Sequence, residues 1–486
     1  MTKATRGKLD NPDLMISKAY VGGEWKGGDA KPIEVEDPFT LKVFAEVPTL
    51  GEKQAQAAVG AAEKAFPDWA AKPAAERGKV LRRWSELIAE NKDDLARLMT
   101  LENGKTFEEA KGEVDYGNGF MQFYAQEATR TLGEVIPADD GGKRLLATRE
   151  PAGVTAAITP WNFPLAMLTR KVGPALAAGC TMVAKPASMT PLTALAFAKL
   201  GEEAGVPRGV FSVVTGGSKE IGGVLTKSQA VRVLSFTGST GVGVKLYEQC
   251  AGTMKRLGLE LGGNAPLLIF DDADLDTAVE AVLKAKFRNA GQSCIAANRI
   301  YVQDGIRDRL LDTLKGKVAA MTVGDGFDEA SDIGPLIDDD GVEKVKEHLK
   351  GALDNGATCL AGGGEVEGRM FPPTLIAGVP HDAQLTCEET FGPLAGVIGF
   401  DTMERGLELA NDTPFGLAAY MCSSDPATIA HVSRHLQSGM VGINTGLISN
   451  PHAPFGGVKM SGLGREGSHH GIEEFLNIKY LCEAGL

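Results

Sequence analysis

Apolar positions recur along this chain in two rhythms, and the change falls near position 151. Over the opening ~50 residues the pattern reads as short strands and turns. Thr49 and Glu52 then have the spacing of a capping box at the head of an alanine-rich helix. Helical spacing follows over residues 74–102 and 107–130. From Pro151 onward short β-type runs alternate with helical ones. Strands are predicted at 154–159, 181–184, 210–214, 231–236 and 255–259. Helices are predicted at 163–178 (interrupted at Gly173-Pro174), 191–204, 219–226 and 240–251. Such alternation specifies βαβ units and a parallel sheet covered on both faces. A second α/β pattern runs from Leu267 to about Gly439. The tail 475–482 reads as a strand in need of a partner, which a neighbouring subunit would supply.

Composition narrows the function classes. Of 486 residues, 43% are hydrophobic and 23% charged, which excludes a disordered chain. The length suggests roughly two to four domains. No internal repeat or polar linker divides the chain, so domains are expected to exchange segments. The net charge is −13, and the densest basic runs are the pairs Arg82-Arg83 and Arg170-Lys171, too little for a nucleic-acid footprint. No run approaches the ~20 apolar residues of a membrane span. The N-terminus lacks the apolar segment of a secretory signal, so the cytoplasm is the expected location. Seven scattered cysteines without a C-x-x-C pair argue against a disulfide framework or a zinc site. Most of them are expected to be buried small hydrophobes. The seven histidines show no metal-ligand spacing.

Ligands of open α/β sheets sit at the carboxyl ends of the strands, and three predicted strand ends carry suggestive residues. They are Thr159-Pro160-Trp161-Asn162-Phe163-Pro164, Lys185-Pro186-Ala187-Ser188, and Phe236-Thr237-Gly238-Ser239-Thr240-Gly241. The third leads straight into a helix. Its glycine admits a close ligand and its helix start offers N–H groups to an anion. The spacing is not G-x-G-x-x-G, so taken alone it is equally a simple turn. Lys185 stands where dinucleotide folds meet the adenosine ribose; with Ser188 and no acid between, the segment tolerates a 2′-phosphate.

Farther along, Cys294 sits among small and amide residues, Asn289 to Asn298. That setting suggests a loop or helix start with an accessible thiol that helix N–H groups would acidify; a packed structural cysteine is the alternative. Glu260 follows an apolar strand and precedes Gly262-Gly263, where burial would raise its pKa and suit it to general-base work. An N-cap or ion pair is the alternative there, and an acidic surface turn is the alternative for Glu389.

Taken together these segments resemble the aldehyde dehydrogenase superfamily over nearly the whole length. The matching stretches are 159–164, 185–191, 236–240, 260–263, 291–294, 389–393, and 454–457 with 461–466, in the family's order. The resemblance implies an α/β fold with a Rossmann-type cofactor domain (1–131 and 150–259) and an α/β catalytic domain (260–446). A small β oligomerisation arm with the C-terminal tail (132–149 and 447–486) completes it, and the family forms homodimers or homotetramers. It implies Cys294 as nucleophile, Glu260 as the base for deacylation and Asn162 as oxyanion donor. It implies contacts to NADP or NAD from Thr159, Pro160, Trp161, Lys185, Ala187, Ser188, Phe236, Gly238, Ser239, Val242, Leu261, Glu389 and Phe391, with NADP accepted at least as readily as NAD.

Closer in, the chain is similar to succinate-semialdehyde dehydrogenases, through Thr169-Arg170-Lys171, Phe287-Arg288-Asn289 and Gly446-Leu447-Ile448-Ser449. That likeness implies a substrate carboxylate held by Arg170, Arg288 and Ser449. A glutarate-semialdehyde or broad-specificity enzyme is the rival reading, and pairing of both arginines with protein carboxylates is the bland one. Ala296 stands where some members of the subfamily carry a second cysteine, so their reversible disulfide is expected to be absent.

Overall fold

A computed structural model describes residues 6–28, 30–139 and 141–485. The alternating segment folds as anticipated into one twisted sheet. Five parallel strands lie in the order Arg256–Glu260, Val231–Thr237, Val154–Ile158, Thr181–Lys185, Phe211–Val213. Ala19–Val21 and Glu24–Lys26 extend one side antiparallel, and Gly462–Leu463 pairs antiparallel with Arg256–Glu260 on the other. Part of segment 447–486, expected in the arm and tail, is thus an edge of this sheet. Register does the functional work: Phe236 pairs with Ile158, Ile158 with Lys185, and Thr237 with Glu260. The three strand ends singled out in the sequence, and Glu260, therefore share one rim.

The second α/β pattern folds into a seven-stranded sheet, parallel except for the hairpin Thr358–Ala361/Thr374–Ala377. Its Ala265–Ile269 and Ala297–Gln303 strands flank the segment that carries Cys294. A third sheet joins Glu134–Ile136, Lys143–Pro151 and Leu476–Ala484. The tail strand does not wait for a neighbouring subunit. It pairs over its whole length with Lys143–Pro151 of its own chain, whose backbone polar groups need that partner as much as the tail's do.

Local chemistry explains where helices depart from the sequence pattern. The first long helix is Glu52–Ala71, capped by Gly51, to whose N–H the Gln54 side chain returns at 3.1 Å; Thr49 is not the cap and donates to the Lys31 carbonyl. The stretch 74–102 is two helices, Ala74–Glu90 and Lys92–Asn103, parted at Asn91, whose side chain bonds the Leu87 carbonyl. Conversely, Ala166–Ala178 runs through Pro174 unbroken. Every residue of it is buried, so tertiary packing outweighs the lost hydrogen bond. Behind it Trp84 stacks on Phe197 at 4.2 Å and donates to the Phe197 carbonyl at 3.0 Å. Three cysteines (180, 250 and 422) are buried, fewer than expected. Cys359 lies on an edge strand, Cys387 ends a short helix and Cys482 lies on the tail strand, all exposed. No helix among the described residues is long and apolar enough to cross a membrane.

Gly462 is the tightest joint between edge and site. It adopts φ 126°, and a Cβ there would fall 1.8 Å from the Leu259 carbonyl oxygen, on the strand that ends in Glu260. Gly462→Ala is therefore expected to cost at least about 2–3 kcal/mol through overpacking and backbone strain. Chemical denaturation should show a lowered midpoint at unchanged slope; a midpoint equal to that of the parent chain would refute the account.

Candidate active site

The rim of the first sheet faces the Cys294 segment across a cavity of about 310 Å³. Ten of the residues to which the resemblance gives a site role line it: Pro160, Trp161, Asn162, Gly238, Ser239, Glu260, Leu261, Cys294, Glu389 and Phe391. Thr159, Phe236, Lys185, Ala187, Ser188 and Val242 lie on the strands, loop and helix leading away from it. Arg170, Arg288 and Ser449 lie outside its lining.

Cys294 sits in a turn ahead of Ala297–Gln303, half-buried, with no helix start beneath it. The expectation of an acidified thiol fails for that reason: burial pushes the thiol up to about 12, with Arg170 the leading opposing charge. The preceding backbone is unusual, with Asn289, Ala290 and Gly291 at φ 52°, 53° and 73°. Hydrogen bonds hold it there. Asn289 N donates to Glu109 at 2.6 Å, and Asn289 Nδ2 donates to the carbonyls of Asn162 (3.0 Å) and Gln292 (3.2 Å). Asn162 Nδ2 donates to the Gln292 carbonyl at 3.1 Å, which leaves its second N–H available.

Glu260 is buried at the end of its strand, and its Oε2 has no hydrogen-bond partner among the described residues. Burial, reinforced by the charge of Glu466, raises its pKa well above the usual carboxylate range. Glu389 opens on the cavity and accepts from Gly263 N at 3.4 Å; burial pushes it up to about 7. Trp161 and Phe391 meet edge to face at 5.5 Å beside it. These carboxyls are neither surface turns nor strong ion pairs.

The cofactor-side residues suit a dinucleotide. The helix Thr240–Cys250 begins at Ser239 with no side-chain cap, leaving its first N–H groups open to an anion. A Cβ on Gly238 would meet the Phe236 ring at 2.5 Å, and one on Gly243 would meet Leu261 at 2.3 Å, so a side chain at either position would have to displace its neighbour. Lys185 is buried, and among the described residues its ammonium hydrogen-bonds only to the Pro186 carbonyl (3.2 Å); burial lowers it to about 8. A buried ammonium without a carboxylate partner is ready for an anionic group.

Several residues escaped the sequence reading. The helix Asp339–Asp354, capped by Asp338, brings Asp340, Gly341 and Lys344 to the cavity; the Asp-rich cap was the available signal. Glu466 pairs with Arg170 Nε and with Lys171 Nζ. The arginine's bland reading is thus half true, because among the described residues the buried Nη1 and Nη2 have no well-aligned hydrogen-bond partner. Arg288 lies over the Phe163 ring at 4.9 Å and makes no ion pair among the described residues.

Residues 25–481 match the model of the aldehyde dehydrogenase family. The chain is 53% identical over 476 residues to a glutarate-semialdehyde dehydrogenase of Pseudomonas putida, covering 98% of this chain and 99% of that one. It is 52% identical over 478 residues to the succinate-semialdehyde dehydrogenase [NADP(+)] GabD of Escherichia coli, covering 98% and 99%. The crystal structure of an aldehyde dehydrogenase from Brucella melitensis biovar abortus superposes with a TM-score of 0.97 at 52% identity, over 98% of this chain and 99% of that one.

Alkylation tests the thiol's environment. With the thiol near 12, the thiolate fraction grows about tenfold per pH unit well below that value. Carbamidomethylation of Cys294 by iodoacetamide, followed by peptide mass spectrometry, should climb through pH 7 to 10 without levelling. A plateau below pH 9 would mean that a nearby group stabilises the thiolate.

Proposed function

The chain belongs to the aldehyde dehydrogenase family, and from that premise we propose that it oxidises succinate semialdehyde to succinate, through named residues of the cavity. It is an NAD(P)-dependent oxidoreductase acting on aldehydes. When bound, the nicotinamide supplies the hydride acceptor. The proposed sites for it are the glycine-lined helix start at Gly238 and Ser239, the Trp161–Phe391 pair and Glu389. Lys185 and Ser188 are proposed to meet the adenosine ribose, where an ammonium and a hydroxyl suit a 2′-phosphate and a glutamate would repel it.

In this reading the Cys294 thiol releases its proton to water in the cavity, and Sγ adds to the aldehyde carbon, whose C=O π pair moves onto oxygen. The resulting oxyanion takes hydrogen bonds from the second Asn162 N–H and from the Cys294 backbone N–H; each such donor is worth roughly 3–4 kcal/mol. Oxidation leaves the acyl group on Sγ as a thioester. Glu260, its proton affinity raised by burial, takes a proton from water, and the water oxygen attacks the thioester carbon; the acid and the thiol are the products.

The observation that carries the substrate choice is Arg170. A guanidinium 1% exposed, with neither Nη atom well partnered among the described residues, needs an acceptor. A carboxylate at the far end of the substrate supplies one bidentately, with Arg288 and Ser449 beside it. Relatives named for four- and five-carbon semialdehydes fit the same clamp equally, so glutarate semialdehyde is the alternative substrate.

Two outcomes test the proposal. Glu260→Gln should give a stoichiometric burst of NAD(P)H followed by slow turnover, because acylation survives and hydrolysis does not; unaffected steady turnover excludes Glu260 as the base. Arg288→Ala should lower kcat/KM on succinate semialdehyde about ten- to a hundredfold, the worth of a charged hydrogen bond of about 1.5–3 kcal/mol. Butyraldehyde, which has no carboxylate, should lose far less. If the ratio of the two efficiencies does not move, the clamp is wrong and the enzyme is a general aldehyde dehydrogenase.

A further inference from the structure

Tyr116 lies on the helix Phe107–Glu127, and among the described residues its buried hydroxyl has no well-aligned hydrogen-bond partner, although the Ser449 hydroxyl and the Arg170 guanidinium lie beside it. Its neighbours along the helix fix what it faces. A Cβ on Gly117 would touch Thr169 Oγ1 at 3.2 Å, so the helix lies against the residue preceding Arg170. A Cβ on Gly119 would strike the Pro451 ring at 2.7 Å, so the same helix, three residues on, bears the loop that carries Ser449. That loop is pinned from its other side. A Cβ on Gly446 would lie 2.3 Å from the Ala281 carbonyl oxygen, on the helix Leu275–Phe287 that ends at Arg288. The Tyr116 ring packs edge to face on Phe120 at 5.0 Å and against the cluster of Phe163, Ala166 and Met167; Arg288 sits over Phe163.

The phenol therefore stands where three elements converge, between Arg170, Arg288 and Ser449. Electrostatics agrees: burial raises its pKa, and the leading opposing influences are the charges of Arg170 and Arg288 and the neighbouring Ser449 hydroxyl. The phenol thus keeps its proton and is a donor. Among the described residues the buried phenol and the two buried guanidinium Nη atoms have no well-aligned acceptor; the phenol's hydrogen-bonding neighbours are Arg170, itself a donor, and the Ser449 hydroxyl, so donors outnumber acceptors there.

We propose that Tyr116 is a specificity-determining residue whose hydroxyl donates to the terminal carboxylate of the substrate, completing the clamp of Arg170, Arg288 and Ser449. The proposal rests on the carboxylate-clamp reading above and adds to it a donor that the sequence resemblance did not imply. Two consequences follow. With an ω-carboxy aldehyde bound, the phenol proton is satisfied. With an aldehyde that ends in a methyl group, the phenol is left dry and unpaired, so it acts against that substrate as well as for the other.

Tyr116→Phe separates these roles, since it keeps the ring and removes only the hydroxyl. Steady-state kinetics on succinate semialdehyde and butyraldehyde should show kcat/KM falling about ten- to a hundredfold on the first, chiefly through KM. On the second it should rise a few-fold, because an unpaired donor has been removed. Succinate, tested as a competitive inhibitor against butyraldehyde, should weaken by a similar factor, which a merely structural role for the ring would not produce. Thermal melting of the variant controls for folding, and Tyr116→His, which restores a donor on a smaller ring, should recover part of the succinate inhibition. If Arg288→Ala shifts the ratio of efficiencies while Tyr116→Phe leaves both it and succinate inhibition untouched, the clamp stands and Tyr116 is not part of it. If neither variant shifts the ratio, the clamp and the role of Tyr116 fall together.

Discussion

Lys105 and Glu113, each about 1% exposed in the side chain, meet at 2.5 Å, and the site is assembled around their contact. The ammonium also donates to the Asn162 carbonyl at 2.7 Å and lies 4.3 Å from the centre of the Phe163 ring. The carboxylate's other oxygen accepts Leu165 N at 2.9 Å and Ala166 N at 3.2 Å, the opening N–H groups of the helix that carries Arg170 and Lys171. One ion pair thus ties the helix Phe107–Glu127 to the cavity residue Asn162 and to the helix of the proposed clamp. Removing one partner of such a pair typically costs about 3–5 kcal/mol, because the other charge stays buried. The contact is a constraint first and a source of stability second.

Around it, burial governs the charges. The cavity carboxyls Glu260 and Glu389 are driven up, Cys294 is driven up, and the buried ammoniums Lys171, Lys185 and Lys286 are driven down. Glu389, Lys185 and Lys286, which would be fully charged in water, are brought into the range where protons move near neutral pH, whereas Cys294 is moved away from it and held as the thiol. Arg170 is the exception. Desolvation, the largest single influence, acts against its charge, but Glu466 and the other acidic groups around it together outweigh that, and the guanidinium stays charged. A fixed cation beside groups that exchange protons is what an anionic substrate end requires, and it also opposes the penalty on a Cys294 thiolate.

What the sequence disclosed follows physical range. Alternating strand and helix patterns come from neighbours a few residues apart, so the parallel sheet was legible, and with it the rim formed by the ends near Ile158, Lys185, Phe236 and Glu260. Departures arose where tertiary packing overrode local preference, as with the unbroken helix at Pro174, or where one side chain chose a different local partner, as at Thr49 and Asn91. Distant pairings were out of reach. Nothing near Arg170 in sequence announces Glu466, and nothing near Asn162 announces Lys105. Tyr116 reads as one more aromatic residue on a helix until the Ser449 loop is seen against the same face.

The segment before Cys294 shows why such pairings matter for chemistry. Asn289 and Ala290 have side chains yet adopt left-handed backbone angles, each costing of order 1–3 kcal/mol. A loop free to relax would leave that region. Glu109, which holds Asn289 N, sits one helical turn before Glu113, and Asn289 Nδ2 donates to the same Asn162 carbonyl that receives Lys105. The strain is therefore held by the unit that positions Asn162. Any relaxation of the loop would move Cys294 and Asn162 together rather than separate them. The shared hydrogen bonds thus tie the loop before Cys294 to Asn162, and for the reaction proposed above, between a sulfur and a carbonyl, that separation is the quantity to hold constant.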